Sequence, residues 1–269
     1  MKKDKLGAGF FSSIILTLGI MSIFAGITYA YDLKEYYPLN EGDTWTYSTT
    51  KNDQTHETVI KVEGKEMVGE AEGIKMVSSE GNYDLLTIDA EGVILHKNVF
   101  SAPDGTRSGY VLHNPPQMLF VNLEIGQTKE YKSTSEGVYG PGDPALTENG
   151  VFKITLDSVE DIEVKAGKFP GCLKFSSDYT YSEKSVSGSE GHGGDKCTAW
   201  LAPGLGMVKS ICSSTEYSAK DNSKDEYTIQ EELISSSLIK VPTESREAPV
   251  SETPSEPKVE PQAEAGQNQ

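Results

Sequence analysis

The stretch Val151-Phe-Lys-Ile-Thr-Leu-Asp-Ser-Val159 decides the reading of the fold. Phe152, Ile154 and Leu156 fall on one side of an extended chain, and Lys153, Thr155 and Asp157 on the other. A period of two with one apolar and one wet face is the signature of a half-buried antiparallel strand. The next stretch repeats it. Leu173, Phe175, Tyr179 and Tyr181 share one face, against Cys172, Lys174, Ser176, Asp178 and Thr180.

Working outward, Trp45 and Tyr47 alternate with Thr44, Thr46 and Ser48 after the turn at Gly42-Asp43. Strands are expected at 59–63, 74–78, 84–90 and 93–100, each bounded by glycine. The runs 110–113 and 117–121 are short and broken by Pro115-Pro116, and another strand starts at Gly126. Beyond residue 30 no stretch sustains a 3.6-residue apolar period for three turns. A short helix over 231–238 competes with a final strand over 227–234. About ten such strands curl or close. The expectation is an all-β fold: a single large antiparallel curved sheet, half-barrel or barrel-like, with a sandwich as the alternative and room for one short helix.

Both ends read differently. Lys2, Lys3 and Lys5 precede an apolar run from Phe10 to Ile27, which ends in Thr28-Tyr29-Ala30. That is the three-part pattern of a secretory signal, with cleavage expected near Ala30. An uncleaved anchor is the alternative, and the only route by which a membrane enters this reading. No cysteine precedes Cys172, so no lipid-attachment cysteine follows the signal. From Val241 to Gln269 five prolines stand among Glu, Ser, Ala and Gln without one aromatic residue. Such a segment buries too little apolar surface to offset its ordering entropy. The organisation expected is a signal over 1–30, a β domain over 31–240 and a disordered acidic tail over 241–269. The chain carries a formal charge of −17, and the signal, with three Lys and one Asp, takes a net +2 away to leave −19. That field repels phosphate backbones, which excludes nucleic acid as the expected partner.

The most specific local inference concerns Lys196 to Ser214. A four-residue loop at 203–206 would pair Ala202 with Met207 and set Cys197 opposite Cys212. Bonded and non-bonded pairs alternate along the ladder, so that cysteine pair falls where Cβ atoms come closest. A Cys197–Cys212 disulfide is therefore expected, with Cys172 left as a free structural thiol. The rival pairing joins Cys172 to either partner.

Three motifs carry a resemblance. Tyr36-Tyr37-Pro38-Leu39 with Gly42, Trp45 and Tyr47 reads YYPLxxGxxWxY. Ala166-Gly167-Lys168-Phe169 with Cys172 and Lys174 reads AGxFxxCxK, and Trp200 to Lys209 reads WLAPGLGMVK. In this order they resemble uncharacterised exported bacterial proteins, those grouped as a DUF3108-like domain of unknown function. The resemblance implies a β-rich curved sheet like that of periplasmic lipoprotein carriers, and it brings no catalytic set. Read physically, Gly42 and Gly167 permit turns, and Trp45 and Trp200 anchor a core.

Chemistry is sparse. His56, His96, His113 and His192 are scattered, so no zinc motif forms. His192, Glu190 and Asp195 share a Gly-rich segment that reads as a solvated hairpin loop rather than a metal site. Asp221, Ser223, Asp225 and Glu232 mimic a calcium loop, but Glu226 stands where that loop needs glycine. No nucleophile elbow or phosphate-binding loop is present. No cofactor and no catalytic residue are expected, and the chain reads as a non-enzyme. The leading expectation is a monomeric, periplasmic or extracellular binding module for an apolar or lipid-like ligand, lined by Phe175, Tyr179, Tyr181, Trp200 and Met207. The alternative is an envelope structural or interaction protein tethered by its tail, with an envelope protein as partner. The third is a hydrolase with an unrecognised site among His96, His113 and His192.

Overall fold

The computed structural model describes residues 31–101, 107–138, 145–218 and 222–239. The expected signal at 1–30 and tail at 241–269 lie outside the described residues. So does Asp221 of the calcium-like segment.

Twelve strands among the described residues close into one antiparallel barrel. They are β1 (Thr44–Lys51), β2 (Gln54–Val68), β3 (Ala71–Ser78), β4 (Tyr83–Ile88), β5 (Gly92–Ser101) and β6 (Arg107–Val121). Then come β7 (Thr128–Val138), β8 (Leu146–Val164), β9 (Gly167–Ser185), β10 (Glu190–Ala202), β11 (Gly206–Ser218) and β12 (Ser223–Ser236). Each strand pairs with its neighbours in the chain, and β1 closes the ring on β12. Closure gives every strand a partner on both sides, although β6 and β7 meet only over Tyr110–His113 and Ser135–Val138.

The period of two sets the two faces. On successive strands Tyr131, Phe152, Tyr179 and Asp195 stand opposite one another on the inward face. Outward, Lys153 pairs with Glu130 at 3.3 Å and Lys196 with Asp178 at 3.8 Å, all well exposed. Charged pairs on the outward face are the reverse of the apolar band of a barrel that faces lipid. Inside, Phe152, Ile154, Leu156, Leu173, Phe175 and Leu201 form the main core.

The segment before β1 closes one end. Asp32 caps the four-residue helix α1 (Leu33–Tyr36) by accepting from the Lys34 N–H at 3.0 Å. Leu33 is fully buried, and its N–H donates to Asn122 Oδ1 at 3.1 Å. The Gly204 N–H donates to the Glu35 carbonyl at 2.7 Å. Helix α1 is thus tied to the β6–β7 connection and to the β10–β11 turn.

The long β8–β9 hairpin bends back over the sheet. Register slips between Leu156 and Ser158 and between Glu160 and Ile162 redirect its outer half. Its turn is anchored by Ala166 N–H to the Leu233 carbonyl at 2.9 Å and by Lys165 Nζ to Ser48 Oγ at 2.9 Å. Val164 and Cys172 thereby join Trp200, Val208 and Leu233 in a second cluster. Gly167, at φ +134°, makes the turn.

Several details differ from the sequence reading. The single helix stands at the N-terminal side, and 223–236 is strand. The β10–β11 turn closes on Ala202 and Gly206, one residue tighter than expected. A slip between Trp200 and Leu201 then restores the expected register, so Cys197 still faces Cys212. Gly191 to Gly194 lie within β10 rather than in a loop. The two prolines are carried inside β6, because residues 114–116 pair with neither β5 nor β7. No ladder hydrogen bond is asked of them there.

Candidate functional site

A hollow of about 240 Å³ remains inside the barrel. Tyr37, Tyr47, Ile60, Met76, Leu86 and Met207 supply much of its wall, with the carboxylates of Asp84 and Glu231. Tyr37 follows α1, Tyr47 stands on β1 and Met207 opens β11. The Tyr47 hydroxyl donates to the Met207 carbonyl at 2.8 Å, which fixes two of these walls to each other. Burial pushes both phenols above their ordinary range. For Tyr37 the carboxylates of Asp84 and Glu231 add to the shift, and for Tyr47 the Tyr37 phenol and Glu231 do.

Asp84 is held by a chain of hydrogen bonds crossing four strands. Asn98 Nδ2 donates to Asp84 Oδ1 at 2.7 Å, and Asn98 Oδ1 lies 2.8 Å from His113 Nε2. His113 Nδ1 lies 2.8 Å from Ser135 Oγ. Because Asn98 Oδ1 only accepts, Nε2 must carry the proton, and Nδ1 then accepts from the Ser135 hydroxyl. The ring is neutral: burial, with His96 nearby, lowers its pKa to about 4. Burial also pushes the Asp84 carboxyl up, against the opposing pull of Asn98. A serine, a histidine and an amide in sequence have the connectivity of an acyl-transfer triad. Ser135 is only 1% exposed, however, so no substrate carbonyl reaches it. The chain orients Asp84.

A second group of charges lines the inward face elsewhere. Glu148 stands directly opposite Glu183, and Asp195 and Glu216 lie on the same face of β10 and β11. The Tyr179 hydroxyl donates to Glu148, and the Tyr227 hydroxyl to Glu216 at 2.8 Å. A side chain on Gly150 would strike the Tyr179 ring, and one on Gly193 the Tyr181 ring, so both tyrosines lie across glycines. A further hollow of about 310 Å³ lies against Tyr181, Glu183, Glu216 and Asp225. Burial raises the pKa of Glu148 and of Glu183; Glu183 and Asp195 add to the first, Glu216 to the second.

The sign of that shift yields a prediction. A carboxyl whose folded pKa is raised penalises the folded state above its ordinary titration range, and the penalty fades as pH falls and the group protonates. Glu183→Gln is therefore expected to stabilise the protein at pH 7.5 by roughly 0.5–1 kcal/mol, the scale of a like-charge cross-strand pair. The gain should shrink by pH 4.5. Thermal unfolding at the two pH values checks it, and a gain that grew on acidification would refute the electrostatic account.

The residues singled out as ligand-lining divide into two places. Phe175 and Tyr179 are buried in the main core with Tyr181 packed against it, and Met207 lines the hollow. Trp200 lies apart, under the β8–β9 hairpin, with Nε1 donating to Glu160 Oε1 at 2.6 Å. The two hairpin cysteines form the disulfide Cys197–Cys212, and Cys172 is a buried free thiol. His192 packs against Tyr217 in a tilted ring contact with centres 4.7 Å apart. Among the described residues no three His, Cys, Asp or Glu side chains converge on a metal position. Tyr37 stood in the YYPLxxGxxWxY motif, but neither it nor Met76, Asp84, Asn98 or Glu231 was among the expected ligand-lining residues. Asp84 was within reach, two residues before Leu86 on the same face.

No family model matches the chain, so the DUF3108-like resemblance rests on its motifs. No curated protein matches it either. Among solved structures it is similar to a presumed exported protein of Bacteroides fragilis with a YmcC-like fold. That pair is 15% identical at a TM-score of 0.37, covering 75% of this chain and 98% of the other. It is similar to a presumed lipoprotein of Parabacteroides distasonis, 17% identical at 0.37, covering 74% and 97%. It is also similar to the hypothetical lipoprotein YmcC of Escherichia coli, 12% identical at 0.38, covering 78% and 90%. At such scores nothing about activity is taken from them.

Proposed function

We propose that this chain is an exported, non-catalytic binding module holding a small, mainly apolar ligand in the hollow between Tyr37, Tyr47, Met76 and Met207. One observation carries the reading: beside its packed core the barrel keeps a partly open space of about 240 Å³ with mixed apolar and polar walls. Sites of this make-up, an apolar body with a few fixed polar groups, are what small ligands occupy. The volume corresponds to about eight water-sized units. It suits a fragment-sized ligand rather than a two-chain lipid. The N-terminal pattern of Lys2 to Ala30 supports export, which places such a module outside the cytoplasm.

The test is calorimetric titration with small apolar probes, indole and naphthalene among them, alongside native mass spectrometry of protein exposed to envelope extract. Saturable binding with a rise in Tm is expected. Met76→Trp fills the hollow and should abolish it, while Thr155→Trp, on the outward face, should not. Absence of both probe binding and any co-purifying small molecule would end this reading.

A further inference from the structure

We infer that the ligand of this hollow is a cationic one, an amine on an apolar body, with Asp84 as its anchor and Glu231 as a second acceptor. The inference rests on the binding role proposed above and concerns the chemistry of the same space. The hollow has charge of one sign only: its wall holds Asp84 and Glu231 and no Lys, Arg or His. The two acids differ in what they already accept. Glu231 Oε2 receives the Ser210 hydroxyl at 3.0 Å. Asp84 receives Asn98 on Oδ1 and nothing among the described residues on Oδ2.

Asp84 is also prevented from turning away. The Asn98–His113–Ser135 chain fixes it from behind, and His113, neutral and buried, supplies no countercharge. A carboxylate desolvated in this way without a cation gains most from one that enters. The aromatic walls favour the same guest. Tyr37 and Tyr47 both line the space, and an aromatic ring attracts a cation that reaches its face. The inward carboxylates Glu148, Glu183, Asp195 and Glu216 extend a field of the same sign through the barrel, which would draw a cation in and repel an anion.

The experiment uses two probes of one shape, 2-phenylethylamine and 2-phenylethanol, titrated calorimetrically into the mature protein at 150 mM salt. Asp84→Asn keeps the oxygen that Asn98 contacts and removes the charge. The amine should bind at least tenfold more tightly than the alcohol. Asp84→Asn should erase that advantage and leave the alcohol unchanged, and Met76→Trp should remove both. Glu231→Gln should reduce the advantage by a smaller factor, and it serves as the charge-removing variant should Asp84→Asn not fold. Equal binding of amine and alcohol would overturn the cationic assignment while leaving a binding hollow in place. Binding of neither probe would count against the hollow itself. An amine preference that survives both substitutions would overturn the assignment of Asp84 and Glu231.

Discussion

Trp45→Ala is expected to lower the unfolding free energy by about 4 kcal/mol, near the top of the range for a buried large-to-small change. Trp45 is 3% exposed and packs with Tyr47, Val62, Leu205, Val208 and Leu233. Its indole Nε1 donates to the Leu205 carbonyl at 2.6 Å. Strands β1 and β11 are not neighbours, since β12 lies between them. The side chain therefore joins the strand that closes the barrel to the turn that α1 holds at the other side. Alanine removes the packing and the bond together and leaves a cavity that rigid strands cannot collapse into. Trp45→Phe separates the two effects: most of the volume stays, and the buried carbonyl loses its donor at a cost of about 1–2 kcal/mol. Urea unfolding read by circular dichroism measures both. A shift in midpoint at constant slope is the expected form, since the exposed surface on unfolding is unchanged. A cost below about 1 kcal/mol for alanine would mean that this end of the barrel is held elsewhere.

The fold was legible wherever alternation was strict. In β8 and β9 the residues Phe152, Ile154, Leu156, Phe175 and Tyr179 face inward as their spacing requires, and all are buried. What alternation cannot express is closure. A half-barrel, a barrel and a sandwich place the same residues on the same faces. The choice was made by the β1–β12 ladder, which sets Thr50 opposite Gln230 from opposite ends of the domain. No local signal reports such a contact. Helix α1 was invisible for a related reason: four residues are too few to show a 3.6-residue period.

The interior was harder still, because two rules of thumb conflict there. Acidic residues at alternate positions normally mark the wet face. Yet Tyr179, Tyr181 and Glu183 continue one face, and following the period past the tyrosines would have taken Glu183 inward. Asp84 and Leu86 stand in the same relation on β4. A barrel wide enough to keep hollows carries polar side chains inside, so face assignment by polarity fails where face assignment by parity succeeds. Parity fails in turn at slips. The outer half of the β8–β9 hairpin changes its partners at two of them and folds back over Trp200, whose Nε1 donates to Glu160 Oε1.

The Cys197–Cys212 bridge is the second place where a large effect is expected. Replacing both cysteines by serine should cost about 3 kcal/mol if loop closure in the unfolded chain sets the scale, for a separation of 15 residues. The two Cα atoms are 4.1 Å apart, close to the narrow, non-bonded spacing of an antiparallel pair. The bridge therefore joins positions the ladder already holds together, and its effect falls on the unfolded state. That makes a clean comparison possible. Oxidised and reduced wild type should unfold from the same barrel but at different urea midpoints, and the serine pair should match the reduced protein. Cys172 does not confuse the comparison by exchange. It is fully buried, and burial pushes its thiol up to about 11, so little thiolate is present at neutral pH. Coincident midpoints for the oxidised and reduced forms would show that the unfolded chain already keeps the β10–β11 hairpin closed, with its tight turn at Ala202 to Gly206 as the reason.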